Sequence, residues 1–193
     1  MRMPIFMALS LLMPLTAAHA GEMTSAYTDL NVDQCPLLDS NEEEAWAIWQ
    51  CKGYEGMPVW VSEGDLRYYV SFGENAANEM AATQTLPPFN VIGEKLEWRL
   101  RKNDDASMTP VATILRYRLD ASAFEDQDVQ VLVVTKLAPG ATCHMAYIDA
   151  RANPDANALA RKAADTMAET FDCATMHAQI VGRRTPAVSY GEE

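Results

Sequence analysis

Residues 142–173 read TCHMAYIDARANPDANALARKAADTMAETFDC, and this stretch decides the fold because it combines a strand, a helix and a cysteine close to each end. Residues 144–149 alternate in character, as a short strand does. Asn153 is a good N-cap residue and Pro154 suits the first helical position, so a long C-terminal helix is predicted over 154–171. Apolar residues at i, i+4 spacing mark one face of that helix: Leu159, Ala163, Met167 and Phe171.

A helix that runs back along its strand brings the two cysteines together. The helix is ~27 Å long at about 1.5 Å per residue, and the strand is ~23 Å long at about 3.3 Å per residue. Cys173 therefore returns close to Cys143, and a disulfide is predicted. A Cys143 nucleophile would need an activating histidine, but His144 points to the opposite face of the strand, which leaves His177 alone. A zinc site needs clustered ligands such as C-x-x-C, and that spacing does not occur, so no metal or cofactor is expected.

The N-terminal residues 1–20 have the pattern of a signal peptide. Arg2 precedes an apolar core of about a dozen residues, which is too short to span a bilayer, and Ala18-His19-Ala20 is a small-x-small cleavage site. Cleavage after Ala20 would deliver a chain without a membrane anchor to the periplasm or the medium, where an even number of cysteines forms disulfides.

The second disulfide, Cys35–Cys51, is predicted by elimination. The intervening residues favour a hairpin with an acidic turn at 42–44, although Ser40-x-x-Glu43 also matches the capping box of a helix start. Either structure permits the bridge.

The chain is strongly acidic. Its formal charge is −12, and removal of Arg2 with the leader makes it −13. This charge disfavours nucleic acid and anionic membrane surfaces as partners, and it permits attraction to a cationic partner.

Periodicity predicts an α+β domain over 21–182, with a mobile tail at 183–193. The sheet is expected to be mainly antiparallel, and the long helix packs on it. The segments that read as strands are 57–73 (a hairpin around Gly64-Asp65), 95–101, 112–120, 129–137 and 142–150. Residues 129–137 are apolar on both faces, which favours a central position.

Several segments together resemble a family of uncharacterised, exported bacterial proteins. They are VSEGDLR, QTLPPFN, EWRL, ATILRY, VLVVTKL and CHMAYIDARANPDANALAR, and the likeness covers most of residues 27–181. The resemblance implies a periplasmic setting and carries no activity.

Four arginines are the most specific candidate site. The apolar residues are even-numbered in 95–101 and odd-numbered in 112–119. If these strands pair with both apolar faces inward, the outer face gathers Arg99, Arg101, Arg116 and Arg118. Such a patch would bind a carboxylate, a phosphate or an acidic protein surface. The alternative is a solvated sheet face on which Glu97 and loop acids pair with the arginines.

The other candidate motifs lack residues that their chemistry requires. The stretch DLNVD (29–33) opens like a calcium loop, but Gln34 and Ser40 stand where such a loop needs Gly and Glu. No G-x-S-x-G elbow or phosphate-binding glycine loop occurs. We therefore expect a non-catalytic binding or interaction protein, with inhibition of a cationic envelope protein as one candidate role. The alternative is a small periplasmic hydrolase that has no local motif.

Overall fold

The computed structural model describes residues 21–120 and 129–185. The predicted signal peptide and residues 186–193 of the predicted tail lie outside these ranges. The strands are β1 (Met23–Asp29), β2 (Leu37–Asn41), β3 (Trp46–Lys52), β4 (Pro58–Gly64), β5 (Arg67–Phe72), β6 (Asn90–Lys102), β7 (Met108–Leu119), β8 (Val129–Lys136), β9 (Cys143–Asp149) and β10 (Gln179–Ile180). The α-helix is α1 (Ala156–Met167), and short 3-10 helices comprise Val32–Gln34, Tyr54–Gly56, Ala76–Asn78 and Met80–Thr83.

The strands form two sheets. One has six strands in the order β1-β6-β7-β8-β9-β10, and the other has four in the order β2-β3-β4-β5. The described strand pairs are antiparallel apart from β9 and β10, which run parallel. The hairpin in 57–73 forms as β4 and β5, and its turn lies at Asp65-Leu66, one residue later than predicted.

The larger sheet lies between the smaller sheet and α1, so both of its faces are buried. The core against the smaller sheet includes Leu96, Trp98, Leu115, Val131 and Val133 on one side and Val59, Val61, Val70 and Phe72 on the other. The core against α1 includes Ile114, Leu132, Val134, Met145 and Ile148 on the sheet and Ala156, Ala160, Ala163 and Ala164 on the helix. Strand β8 contributes to both cores, which explains why 129–137 is apolar on both faces.

Two disulfides join the cysteine pairs that the sequence predicts. Cys35 and Cys51 bridge the β2–β3 hairpin with a Cα–Cα distance of 4.8 Å. Cys143 and Cys173 join the start of β9 to the segment after α1 at 5.9 Å. The favoured hairpin forms between the first pair, and in its turn the Asn41 side chain accepts the backbone N–H groups of residues 43 and 44.

The helix is shorter than the 154–171 segment that we predicted, and "one long C-terminal helix" is in this respect wrong. Asn153 does not cap it through its side chain. Instead the buried Asn153 amide donates to the carbonyl oxygens of Asp149 and Arg183 at 2.8 and 2.7 Å. At the other end the chain leaves the helix after Met167, so that Phe171 packs into the core and Cys173 reaches its partner.

Candidate functional site

The four predicted arginines lie on the side of the larger sheet that α1 covers. Trp98 pairs with Thr113 and Arg99 with Ala112, so even and odd positions alternate across β6 and β7 as expected. The prediction of an outer, solvated face is wrong at Arg99, which α1 covers, whereas Arg118 on the same face is exposed. Arg99 is only 6 % exposed.

Arg99 and Arg101 are held by acids on and just after α1. The Arg99 guanidinium donates to both carboxylate oxygens of Asp165, at 2.8 and 2.7 Å. Arg101 pairs with Glu169. The bidentate Arg99–Asp165 pair ties the helix to the sheet at a buried guanidinium. The Arg101–Glu169 pair is more exposed and joins the same strand to the segment just after the helix, at the edge of the contact.

A third pair extends the same row of charges. Arg161 of α1 donates from Nε to Glu97 Oε1 at 2.6 Å, and its Nη2 donates to the Tyr27 hydroxyl at 3.0 Å. The hydrogen bond to Glu97 is the main reason that the pKa of Arg161 is raised. Glu97 thus pairs with the helix rather than with the arginines of its own sheet.

Arg116 and Arg118 are separated from the first two arginines. Arg116 is four residues along β7 from Ala112, the partner of Arg99, which amounts to ~13 Å at about 3.3 Å per residue. The four side chains therefore form two groups and not one patch. Arg116 donates to the Gln130 side chain at 2.9 Å.

A charged groove of about 280 Å³ contains the second group. Its lining includes Lys95, Arg116, Arg118, Glu94 and Glu97 from the sheet and Asn157 from the first turn of α1. The start of a helix carries partial positive charge, so it adds to the three cations here.

An apolar cleft of about 440 Å³ adjoins this groove and shares Arg118 with it. Its walls are the β4–β5 turn, the end of the proline-rich loop 85–89, the beginning of β6 and the end of β7 with the residue after it. The lining residues are Glu63, Leu66, Tyr68, Phe89, Asn90, Val91, Arg118, Leu119 and Asp120. Leu66 is 61 % exposed and Val91 52 %, so the cleft presents large apolar side chains to solvent.

The walls of the cleft are fixed by polar contacts behind them. The Asn90 side chain accepts the backbone N–H of Tyr68 at 3.0 Å and donates to the carbonyl oxygens of Leu86 and Pro88. The Arg67 guanidinium stacks over the Phe89 ring at 4.9 Å from its centroid. These contacts hold the proline-rich loop against the β4–β5 turn and fix the shape of the cleft.

Leu66 occupies a backbone conformation that a leucine rarely adopts. Asp65 and Leu66 have φ angles of 51° and 58°, as the two central residues of a type I′ hairpin turn do, and asparagine or glycine is usual there. A left-handed leucine costs roughly 1–2 kcal/mol. The Leu66 side chain lines the cleft.

A third, acidic groove of about 710 Å³ lies beside the β2–β3 turn. Its lining includes Glu42, Glu44, Glu63 and Asp65 together with Leu37, Trp46 and Trp49. Trp46 donates its indole N–H to Glu44 at 3.0 Å.

Several described groups of types that take part in acid–base or nucleophilic catalysis have structural partners. His144 is buried and lies 2.9 Å from the Tyr147 hydroxyl through Nδ1, and all four cysteines are in disulfides. Asp149 accepts the backbone N–H groups of Arg151, Ala152 and Thr185. In the described ranges, no group of three or more histidine, cysteine, aspartate or glutamate side chains is arranged to hold a metal ion.

Comparison with protein-family models, with curated proteins and with solved structures finds no match for this chain. The family resemblance and the periplasmic setting that it implies therefore stay predictions. None of the helices between residues 21 and 185 that the structure describes has the length and apolar character that crossing a membrane requires.

The apolar cleft has no pattern in the sequence that predicts it, because its walls come from four separate segments. One local signal was available. Leu66 follows Asp65 in a hairpin turn, where a polar residue or glycine is expected. A large apolar residue at such a position indicates that its side chain contacts something other than the turn.

Proposed function

We propose that the protein is an exported, non-catalytic binding protein whose ligand has an apolar body and an acidic group. The apolar body occupies the cleft between the β4–β5 turn and the proline-rich loop, and Arg118 binds the acidic group at the rim. One observation carries this proposal: exposed Leu66, Phe89 and Val91 surround a cleft of about 440 Å³ that shares Arg118 with a groove containing two more cations.

The size and composition of the cleft support this class of ligand. Sites for small molecules commonly measure ~300–1,000 Å³ and are mostly apolar, with a few polar groups that fix orientation. Each square ångström of apolar surface that leaves water contributes roughly 25 cal/mol. Because Asn90 and Arg67 already hold the walls, little ordering is needed on binding.

Arg118 provides specificity for the acidic group. A guanidinium makes charge-assisted hydrogen bonds to a carboxylate or phosphate, and Arg116 and Lys95 line the groove that shares Arg118 with the apolar cleft. This arrangement retains the predicted role of Arg116 and Arg118 and removes Arg99 and Arg101 from the proposed site.

Two features support export. The leader pattern at 1–20 predicts secretion, and two disulfides suit an oxidising compartment.

A medium-chain carboxylate tests the proposal, with the alcohol of the same length as its matched probe. Dodecanoate and dodecanol are titrated into the chain 21–193 by calorimetry below their aggregation concentrations. Dodecanoate is expected to bind more tightly than dodecanol, and Arg118→Gln is expected to weaken dodecanoate binding about tenfold while leaving dodecanol unchanged.

Arg101→Gln is the control, because Arg101 is an arginine of the same face that lies outside the cleft. Equal affinities for dodecanoate in the wild type and Arg118→Gln, or an equal loss in the control, would refute the assignment of Arg118. Failure of both probes to bind would refute the cleft itself.

The acidic groove favours a second candidate function, inhibition of a cationic envelope protein. Four carboxylates and two tryptophans line it, and the whole chain is acidic. The test is retention of basic envelope enzymes by the immobilised wild type and by Glu42→Gln/Glu44→Gln. An enzyme that the wild type retains, that the variant releases and that the wild type inhibits in a one-to-one complex would support this role. Equal retention by the two proteins would refute it.

A further inference from the structure

A further cavity of about 380 Å³ lies where β9 begins and shares no lining residue with the cleft and grooves described above, although the proline-rich loop borders both it and the apolar cleft. It is enclosed by the 3-10 helix Met80–Thr83 with the loop that follows it, by Tyr147 of β9, and by the segment after the Cys143–Cys173 disulfide. Its lining residues are Met80, Gln84, Thr85, Pro87, Tyr147, Cys173, Ala174, Thr175, Met176, His177 and Ala178.

Two methionines at this cavity are unusually accessible. Met80 is 43 % exposed and Met176 39 %, whereas methionine is commonly a buried residue. Neither belongs to the two apolar cores of the protein. The Met176 sulfur accepts the backbone N–H of Asp172 at 3.4 Å, a weak contact that a metal ion would replace. His177, next to Met176 in the chain, is also exposed and lines the same cavity.

The metal-binding chemistry of these side chains is specific. Thioether sulfur is a soft ligand that selects copper(I), and imidazole also suits copper. The cavity lining contains no aspartate or glutamate, and carboxylate oxygens are the ligands that calcium, magnesium and manganese require. The nearby Asp172 carboxylate accepts instead from the Ala174 N–H and the Thr175 hydroxyl.

We propose that Met80, Met176 and His177 form a binding site for copper(I). Cys173 is not a ligand, because its sulfur is in the disulfide with Cys143. The site therefore has two thioethers and one imidazole, a neutral set that suits a soft monovalent cation.

The backbone on both sides of the cavity is anchored, so the proposed site needs rotation of the three side chains and no movement of the chain. On one side, Ala81 donates its N–H to Thr142, and the buried Glu79 carboxylate accepts from Gly140 and Thr142. On the other side, the disulfide fixes residue 173, and the Met176 N–H donates to the Asp172 carbonyl at 2.9 Å. Both walls are thus attached to the same end of β9. Methionine has three rotatable side-chain bonds and adapts readily to a new contact.

Copper(I) affinity is measured without oxygen by competition with bicinchoninate, using the chain 21–193. The expected stoichiometry is one copper per chain. Met80→Leu, Met176→Leu and His177→Gln are each expected to weaken binding at least about tenfold, since even loss of an outer partner of a metal ligand costs that much. Met108→Leu is the control, because Met108 packs against the core elsewhere.

A second measurement locates the site independently of affinity. Silver(I) is a redox-inert substitute for copper(I), and it is titrated into protein with carbon-13 labels on the methionine methyl groups. The methyl signals of Met80 and Met176 are expected to shift together at one equivalent. Failure to take copper from bicinchoninate, affinities that the Met80 and Met176 substitutions leave unchanged, or shifts at other methionines would each overturn the proposal.

Discussion

Burial of His144 predicts that the stability of the protein falls between pH 7.5 and pH 5. The side chain is 1 % exposed, and burial lowers the pKa of its imidazole from 6.5 to about 3. The ring is neutral at these pH values in the folded protein, where it lies 2.9 Å from the Tyr147 hydroxyl. In the unfolded chain the same ring takes up a proton as the pH passes below its ordinary value.

The sign and size of the effect follow from proton linkage. Because the unfolded state binds more protons, the free energy of unfolding decreases as the pH falls from about 6.5 towards 3, and the full contribution is present above that window. Between pH 7.5 and pH 5 the expected loss is about 2 kcal/mol, taking about 1.36 kcal/mol for each unit of pKa difference. This loss does not depend on the exact pKa in the folded state, because at pH 5 that state is still unprotonated.

Urea unfolding at several pH values measures this slope, with the disulfides intact. His144→Gln is expected to remove most of the pH dependence between 7.5 and 5, whatever its effect on absolute stability. His177→Gln is the control, since His177 is exposed and is the other histidine of the chain after residue 20. Burial raises the pKa of the Asp149 carboxyl, but hydrogen bonds from Thr185, Ala152 and Arg151 outweigh it and lower the pKa overall. The contribution of Asp149 to the stability is therefore lost below the pH range of this experiment. A wild-type stability that stays constant over this range, or an unchanged slope in His144→Gln, would refute the reasoning.

Three further substitutions test the packing of the fold by urea unfolding. Asp165→Ala should destabilise the protein by about 3 kcal/mol because it leaves the Arg99 charge buried without its partner, and a loss below ~1 kcal/mol would show that water replaces the carboxylate. Gly53→Ala should cost ~1–3 kcal/mol by overpacking, since the added Cβ would lie 2.3 Å from Trp98 Cζ2; wild-type stability would mean that the indole can move aside. Leu66→Asn should leave the stability unchanged or raise it by up to ~1 kcal/mol because asparagine tolerates a positive φ, and clear destabilisation would mean that the Leu66 side chain supports the fold.

Residues close together in the sequence allowed several features to be predicted. The strand and helix in 142–173 placed Cys143 near Cys173, and the remaining cysteines bridged the favoured hairpin. Alternation of apolar residues gave the strands β6 and β7 and their shared face, because strand periodicity is a local property of the chain. The apolar run in β8 correctly indicated a strand that is covered on both sides.

Helix length depended on contacts that the local pattern does not contain. Asparagine is favoured at N-caps, but the Asn153 side chain donates instead to the backbone carbonyl of Arg183, thirty residues later in the chain. The apolar face of the predicted helix continues to Phe171, yet the chain leaves the helix earlier so that Cys173 can meet Cys143.

The sequence by itself determined the strand periodicity, the cysteine pairing and the common face of the four arginines, since each depends on neighbouring residues or on simple strand geometry. Only the tertiary structure decided what covers that face. Helix α1 supplies Asp165 to Arg99, and the segment just after the helix supplies Glu169 to Arg101. Arg118 instead lies beside a cleft built from segments distant in the chain. The physical reason is that an arginine on a strand has the same local pattern whether its partner is water, a helix carboxylate or a ligand. Long-range packing selects among these partners.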